Sequence, residues 1–214
     1  MLNSIWNLIY KMSLFFPGSE KRMISHLRTV CGGGVKIGND VRIYGPASVV
    51  IDETRPWLLT IGDNVRITHG VQILTHDYSK SVLQTKYNEN IGEGGETIIG
   101  NNVFIGMNSI ILMGTHIGDN VIIGAGSVVH GEIPGDVVIA GNPARIICTL
   151  EEHLQKRRQR TALEAVQVAR SYKVNYGKMP SENDMRHFKE LFGGNAVSEK
   201  RWSNFDDFLK EIED

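Results

Sequence analysis

The chain has 214 residues, 23 Lys and Arg against 24 Asp and Glu, and a formal net charge of -1. That balance supplies no global field for nucleic acid or an anionic membrane. Two cysteines, Cys31 and Cys148, with no Cys-x-x-Cys do not make a disulfide framework, so a reduced, cytoplasmic protein is expected.

The first segment, 1–34, reads as helical: Ile5, Leu8, Ile9, Met12 and Phe15 follow i, i+3, i+4 spacing, and Pro17-Gly18 ends the run. It is apolar, but Lys11 interrupts it, and it lacks the basic leader and small-residue cleavage site of a signal peptide. No apolar run reaches the ~20 residues of a membrane-spanning helix.

From Val35 an aliphatic residue returns every six positions. One block reads Ile37, Ile43, Val49, then Ile61, Ile67, Ile73; a second reads Ile99, Ile105, Ile111, Ile117, Ile123, Val129. A small or branched residue stands two positions earlier, among them Val35, Ala47, Val65, Thr97, Ser109 and Ser127. A period of six fits neither a helix nor an isolated hairpin. It predicts a solenoid over 35–147 with three flat faces per coil, side chains at i and i+18 stacking inside, and Gly- and Asn-rich corners. An antiparallel sandwich would not keep strict phase from Ile99 to Val129. Two interruptions break the repeat. Residues 52–59 are about one hexapeptide long and stay in phase; residues 77–96 do not, and are read as a loop expelled from the solenoid.

After Pro143 the pattern becomes helical, giving an extension over 148–214. A charged stretch runs from Glu151 to Arg170. Ser181 with Asp184 starts one short helix, and Ser203 with Asp206 starts another carrying Phe205, Phe208, Leu209 and Ile212 on one stripe. The terminal helices are expected to cover the open ends of the solenoid.

Residues 99–147, with paired "IGxNV" units, "IGAGSVV" and a closing "AGNPAR", resemble the hexapeptide-repeat acyltransferases, among them galactoside, maltose and xenobiotic O-acetyltransferases and those of capsule and lipopolysaccharide synthesis. The resemblance spans roughly 35–147. It implies a mainly β fold, a left-handed parallel β-helix, a homotrimer with sites between subunits, and acetyl-CoA as co-substrate. The family's catalytic His lies just before the extruded loop, usually within Thr-His-Pro; here Thr75-His76 match and Asp77 replaces Pro. Acyl transfer to a hydroxyl needs a base of this kind. A solvated turn histidine is the alternative, weakened by the break in phase directly after it. By similarity to the galactoside enzyme, Asp52 could contact the acceptor, or be a turn residue. For coenzyme A the resemblance points to Gly106, Met107, Ala125, His130, Gly131 and Arg145. Phe104 stands for the family's common Trp, and His130-Gly131 for its Thr-Lys, which removes one phosphate contact; the basic run 155–160 could replace it or be a solvated helix face. In the loop, Asp77, Tyr78 and Tyr87 are candidate acceptor contacts, since aromatic faces suit pyranose rings.

No pair of histidines has zinc-ligand spacing, so no metal is expected. A carbonic anhydrase-like zinc enzyme on this fold would need three histidines on neighbouring coils, where 98–129 offers only His116. A serine acetyltransferase would place a large helical domain before the coils. The expectation is acetyl transfer to a hydroxyl of a carbohydrate, such as a surface-polysaccharide precursor. A xenobiotic or other small-molecule acceptor and a non-catalytic scaffold are the competing readings.

Overall fold

The computed structural model describes residues 2–30, 33–192 and 202–213, with side chains over 8–30, 33–192 and 202–212; Cys31 falls outside them. The chain divides into two compact units, Met1–Leu150 and Glu151–Asp214.

The first unit opens with two helices, α1 (Leu2–Ser13) and α2 (Ser19–Thr29), separated at Pro17-Gly18. α2 buries Met23 and Leu27 in the solenoid core, and the Leu27 carbonyl accepts from the Val35 amide at 2.7 Å, so this helix seals the first coil. Coil one carries β1 (Lys36–Ile37), β2 (Arg42–Ile43) and β3 (Val50–Ile51). Coil two carries β4 (Leu59–Ile61), β5 (Arg66–Ile67) and β6 (Gln72–Ile73), followed by a loop holding α3 (Lys80–Tyr87). Coil three carries β7 (Thr97–Ile99), β8 (Phe104–Ile105) and β9 (Ile110–Ile111), and coil four β10 (His116–Ile117), β11 (Ile122–Ile123) and β12 (Val128–Val129). A last turn holds β13 (Glu132–Ile133), β14 (Val137–Gly141) and β15 (Ala144–Thr149).

These strands form three faces, ordered β1-β4-β7-β10-β13, β2-β5-β8-β11-β14-β15 and β3-β6-β9-β12. Every pairing is parallel except β14 with β15. Ile99 pairs with Ile117 and Ile105 with Ile123, the step of 18 expected from the sequence. Strands of two or three residues suffice because each flat face sends one branched side chain inward. The inward residues Ile67, Ile105 and Ile123 stack fully buried, as do Ile73, Ile111 and Val129. Each such side chain contributes about 1.5–3 kcal/mol of burial.

The corners use short amides where the backbone turns left-handed. Asn64, Asn102 and Asn120 sit at φ between 55 and 60, a conformation Asn tolerates better than most residues. They also form a ladder along the coil axis: Asn64 donates to Asn102 at 2.8 Å, Asn102 to Asn120 at 2.8 Å, and Asn120 to Asp136 at 2.9 Å.

Two details differ from the sequence reading. In β3 the pairing rung is Ile51, with Val49 buried two positions before it in the place expected for Ala47; Ala47 is exposed in a 3-10 turn, Pro46–Ser48. That turn adds two residues after Ile43, and a second one, Pro56–Leu58, fills the next corner, so Ile37 pairs with Ile61 across 24 positions rather than 18. The first unit also runs past the boundary expected at 147, because Val138 pairs antiparallel with Cys148 and Val137 with Thr149.

The second unit is helical: α4 (Leu150–Tyr176, its first residue in unit one), a 3-10 helix Arg186–Leu191 and α5 (Phe205–Glu213). Its own core gathers Ala165, Ala169, Met185, Phe192, Trp202 and Phe208. Ser181 Oγ donates to Asp184 Oδ2 at 2.7 Å, but the pair closes a turn rather than starting a helix: the 3-10 helix begins only at Arg186, with Met185 as its N-cap. At α5 the cap is Asn204 rather than Ser203: its Oδ1 accepts from the Asp207 amide at 2.8 Å. Phe208 and Ile212 are buried, with Phe205 and Leu209 packed beside them.

Candidate active site

β3 and β6 are neighbours in register, Ile51 against Ile73. The corners that follow them therefore stack, and Asp52 in coil one meets Thr75 and His76 in coil two. Asp52 Oδ2 lies 2.5 Å from His76 Nδ1 and also accepts from the Thr75 hydroxyl and, at 3.2 Å, from the Thr75 amide. Oδ1 accepts from the Thr54 amide at 2.9 Å and the Thr54 hydroxyl at 2.7 Å. The side chains of Asp52 and His76 are 4% and 12% exposed. Burial pushes the Asp52 carboxyl upward, but the bonds from Thr75, Thr54 and His76 outweigh it and hold the group far below the usual carboxylate range. An ionised carboxylate only accepts hydrogen bonds, so Nδ1 of His76 donates to it, and in the neutral ring the lone pair is on Nε2.

Both oxygens of Asp52 are turned inward and engaged by three residues of its own chain. Sequence reasoning did not find Thr54, the second residue that fixes this carboxylate.

The loop 77–96 is tied at its root. Asp77 Oδ1 accepts from the Ser79 amide at 2.7 Å, and the Ser79 hydroxyl, followed by that amide, holds the Asp77 carboxyl below its ordinary range. The Ser79 hydroxyl reaches across to Glu93 at 3.1 Å. The Gly95 amide donates to the Thr75 carbonyl at 3.0 Å, and Arg55, from coil one, donates to the Glu93 carbonyl at 2.5 Å. Gly95 must be glycine, since a Cβ there would stand 2.7 Å from the Gly114 backbone nitrogen. Tyr78 sets its ring edge-on to His76, centroids 4.8 Å apart. Tyr87 ends α3, which buries no residue, and Lys86 lies over its ring at 5.0 Å.

The residues matched to the coenzyme lie in three places. Gly106, Met107 and Ala125 occupy corners between the second and third faces; Met107 and Ala125 are exposed, and the Met107 carbonyl accepts from the Gly126 amide at 2.8 Å. His130 and Gly131 lie exposed on the corner line that also carries His76, two coils on. Arg145 is exposed in β15. One chain does not gather these groups around His76. Coil stacking alone accounts for Gly106, where a Cβ would approach the Ala125 nitrogen to 2.5 Å. Among the described residues, no group of three His, Cys, Asp or Glu is placed to hold a metal.

Residues 96–130 match the family model described as the hexapeptide repeat of succinyl-transferase. Over 123 residues the chain is 46% identical to Protein CapG of Staphylococcus aureus, an alignment covering 58% of this chain and 70% of that protein. The chain belongs to the hexapeptide-repeat acetyltransferases. Within that family it is 37% identical to the putative acetyltransferase YvoF of Bacillus subtilis and 38% identical to the galactoside O-acetyltransferase of Escherichia coli. Those alignments cover 53% and 54% of this chain but only 60% and 54% of the relatives' own lengths. A hexapeptide-repeat acetyltransferase from Vibrio cholerae shares the fold, with a TM-score of 0.50 at 24% identity, covering 66% of this chain and 86% of that one. The architecture is the left-handed parallel β-helix with helical extensions, and the family is one of acetyltransferases.

Proposed function

We propose that the protein moves the acetyl group of acetyl-CoA to a hydroxyl of a carbohydrate, with His76 as general base and Asp52 orienting it. The observation that carries this reading is the Asp52–His76 pair at the root of the loop, which leaves Nε2 free to accept a proton. Nε2 takes the acceptor hydroxyl proton as that oxygen attacks the thioester carbonyl. Collapse of the tetrahedral intermediate breaks the C–S bond, and the imidazolium returns the proton to the departing sulfur, giving the acetyl ester and free coenzyme A. Backbone amides hold the oxyanion. Tyr78 and Asp77, beside His76, contact the acceptor, and Tyr87, exposed at the end of α3, is a further loop candidate for a larger acceptor. The pantetheine arm follows the later coils past Gly106, Met107 and Ala125, with His130, Gly131 and Arg145 toward its phosphate end. These groups are spread over separate corners of one chain, which favours a homotrimer with sites between subunits. The cytoplasm is where acetyl-CoA would be met. Two relatives bear names that support a sugar acceptor, the galactoside O-acetyltransferase and a putative lipopolysaccharide biosynthesis O-acetyl transferase of Escherichia coli.

His76→Ala should lower kcat/KM by about 10²–10⁴ while leaving acetyl-CoA affinity and oligomeric mass unchanged. The acceptor panel is free sugars, nucleotide sugars, surface glycans, amino acids and antibiotic alcohols, read by thiol release and mass spectrometry. Near-normal turnover in the variant removes His76 as base; preference for a non-carbohydrate acceptor removes the sugar assignment and leaves the base standing.

A further inference from the structure

α1 has two faces with different fates. On its inner side Tyr10 stacks on His26 of α2, centroids 4.0 Å apart, and Leu14 packs against the solenoid core. On its outer side Leu8, Ile9 and Met12 stand exposed, and the turn that follows α1 adds Phe15 and Phe16; each side chain of this apolar stripe is at least half exposed. In water this is a costly arrangement, and the inner contacts prevent the helix from rolling over to bury it.

Two cations stand beside the stripe. Lys11 stands three residues from Leu8 and four from Phe15, so it borders the apolar face. Arg22 donates to the carbonyls of Ser13 at 2.6 Å, Phe16 at 2.9 Å and Pro17 at 2.9 Å, which puts a guanidinium beside the aromatic end of the stripe. Lys21 precedes it and, with Arg28, lines a recess of about 390 Å³ on α2. The acid of this segment, Glu20, is turned the other way: it accepts from the Ile43 amide at 3.0 Å and lies 3.8 Å from Arg42. A net charge of -1 for the whole chain therefore leaves Lys11 and Arg22 beside bulky exposed apolar side chains, with Lys21 and Arg28 on the neighbouring helix.

We infer that α1 lies in the surface of an anionic phospholipid bilayer, its apolar stripe in the acyl boundary and Lys11 and Lys21 among the headgroup phosphates, with Arg22 adding positive charge from beneath the aromatic end. An exposed Phe-Phe end with flanking cations is the composition such interfacial helices use. No helix of the described residues is long and apolar enough to cross a membrane, so the helix rests on the surface. The inference goes beyond the acetyl-transfer reading and is independent of which hydroxyl is acetylated. It would bring the catalytic unit to acceptors held at a membrane.

The test is flotation of the full-length protein with vesicles of equimolar phosphatidylcholine and phosphatidylglycerol. The wild type should float, with about tenfold weaker binding to pure phosphatidylcholine. The triple variant Leu8→Gln/Met12→Gln/Phe15→Gln should stay with the unbound fraction while keeping the wild-type circular dichroism and melting temperature. Lys11→Glu should weaken flotation on the anionic vesicles only. A wild type that never floats overturns the inference, as does a triple variant that floats equally well. It is equally overturned if the triple substitution changes only the mass in light scattering, for then a second copy of the chain covers the stripe.

Discussion

Because an ionised carboxylate cannot donate, Asp52 decides which nitrogen of His76 is basic. Asp52→Asn should invert that choice, since the amide can donate to Nδ1 and force the proton onto Nε2. We expect kcat to fall about a hundredfold with acetyl-CoA affinity retained, measured by steady-state thiol release. The same carboxylate links stability to pH. Its folded pKa lies below the unfolded value, so its contribution is present above the ordinary Asp value of about 3.9 and is lost as pH falls through the folded one. The urea midpoints of wild type and Asp52→Asn should therefore converge as the pH is lowered from about 5 to about 2. A constant gap over that range would show that the charge of Asp52 is not what stabilises the fold. His76 was legible as a residue type at a break in phase. Its partner was not: the step from Asp52 to His76 is 24 positions, and coil length varies from one turn to the next, so sequence spacing could not align them.

At the scale of elements, the loop root is built from a few polar contacts over bare backbone. Arg55 grips the returning leg through a single carbonyl, and its guanidinium fills the space a side chain on Gly94 would need, 2.7 Å from the position of a Cβ. Arg55→Ala should free that leg, so that trypsin cuts at Lys80 and Lys86 about tenfold faster while the melting temperature moves by only a few degrees. Arg55→Lys should restore part of the protection, since the contact is with one carbonyl and not a fork. Unchanged cleavage in Arg55→Ala would mean that the backbone bond from Gly95 to Thr75 holds the loop alone. The coils themselves could be read from six-residue phase because nothing interrupts Ile99 to Val129. The slip at Val49 escaped notice because the two-residue excess after Ile43 and the longer corner after Ile51 together amount to one whole hexapeptide, and phase returns at Ile61. The helix α3 also went unread: its surroundings bury none of it, so its apolar residues carry no periodic constraint.

For the whole molecule, two cores imply two cooperative events. One is the aliphatic stack of the solenoid, the other the aromatic cluster of Phe192, Trp202, Phe205 and Phe208. Calorimetry should resolve two transitions. Ile105→Ala, costing about 2–5 kcal/mol, should lower one of them, and Phe208→Ala, costing about 3–5 kcal/mol, the other. A single transition moved equally by both variants would show the units to be one folding block. The register across the loop has a separate consequence. Ile61 pairs with Ile99, Ile67 with Ile105 and Ile73 with Ile111, each 38 positions on, where the uninterrupted step is 18; the excess equals the 20 residues from 77 to 96. Both ends of that insert meet at one hydrogen bond of 3.0 Å between Gly95 and Thr75. The solenoid thus offers a socket into which segments of other lengths can be spliced without displacing a single rung, so selectivity for acceptors can diversify by exchange of one cassette while the base and its carboxylate stay on the invariant coils below.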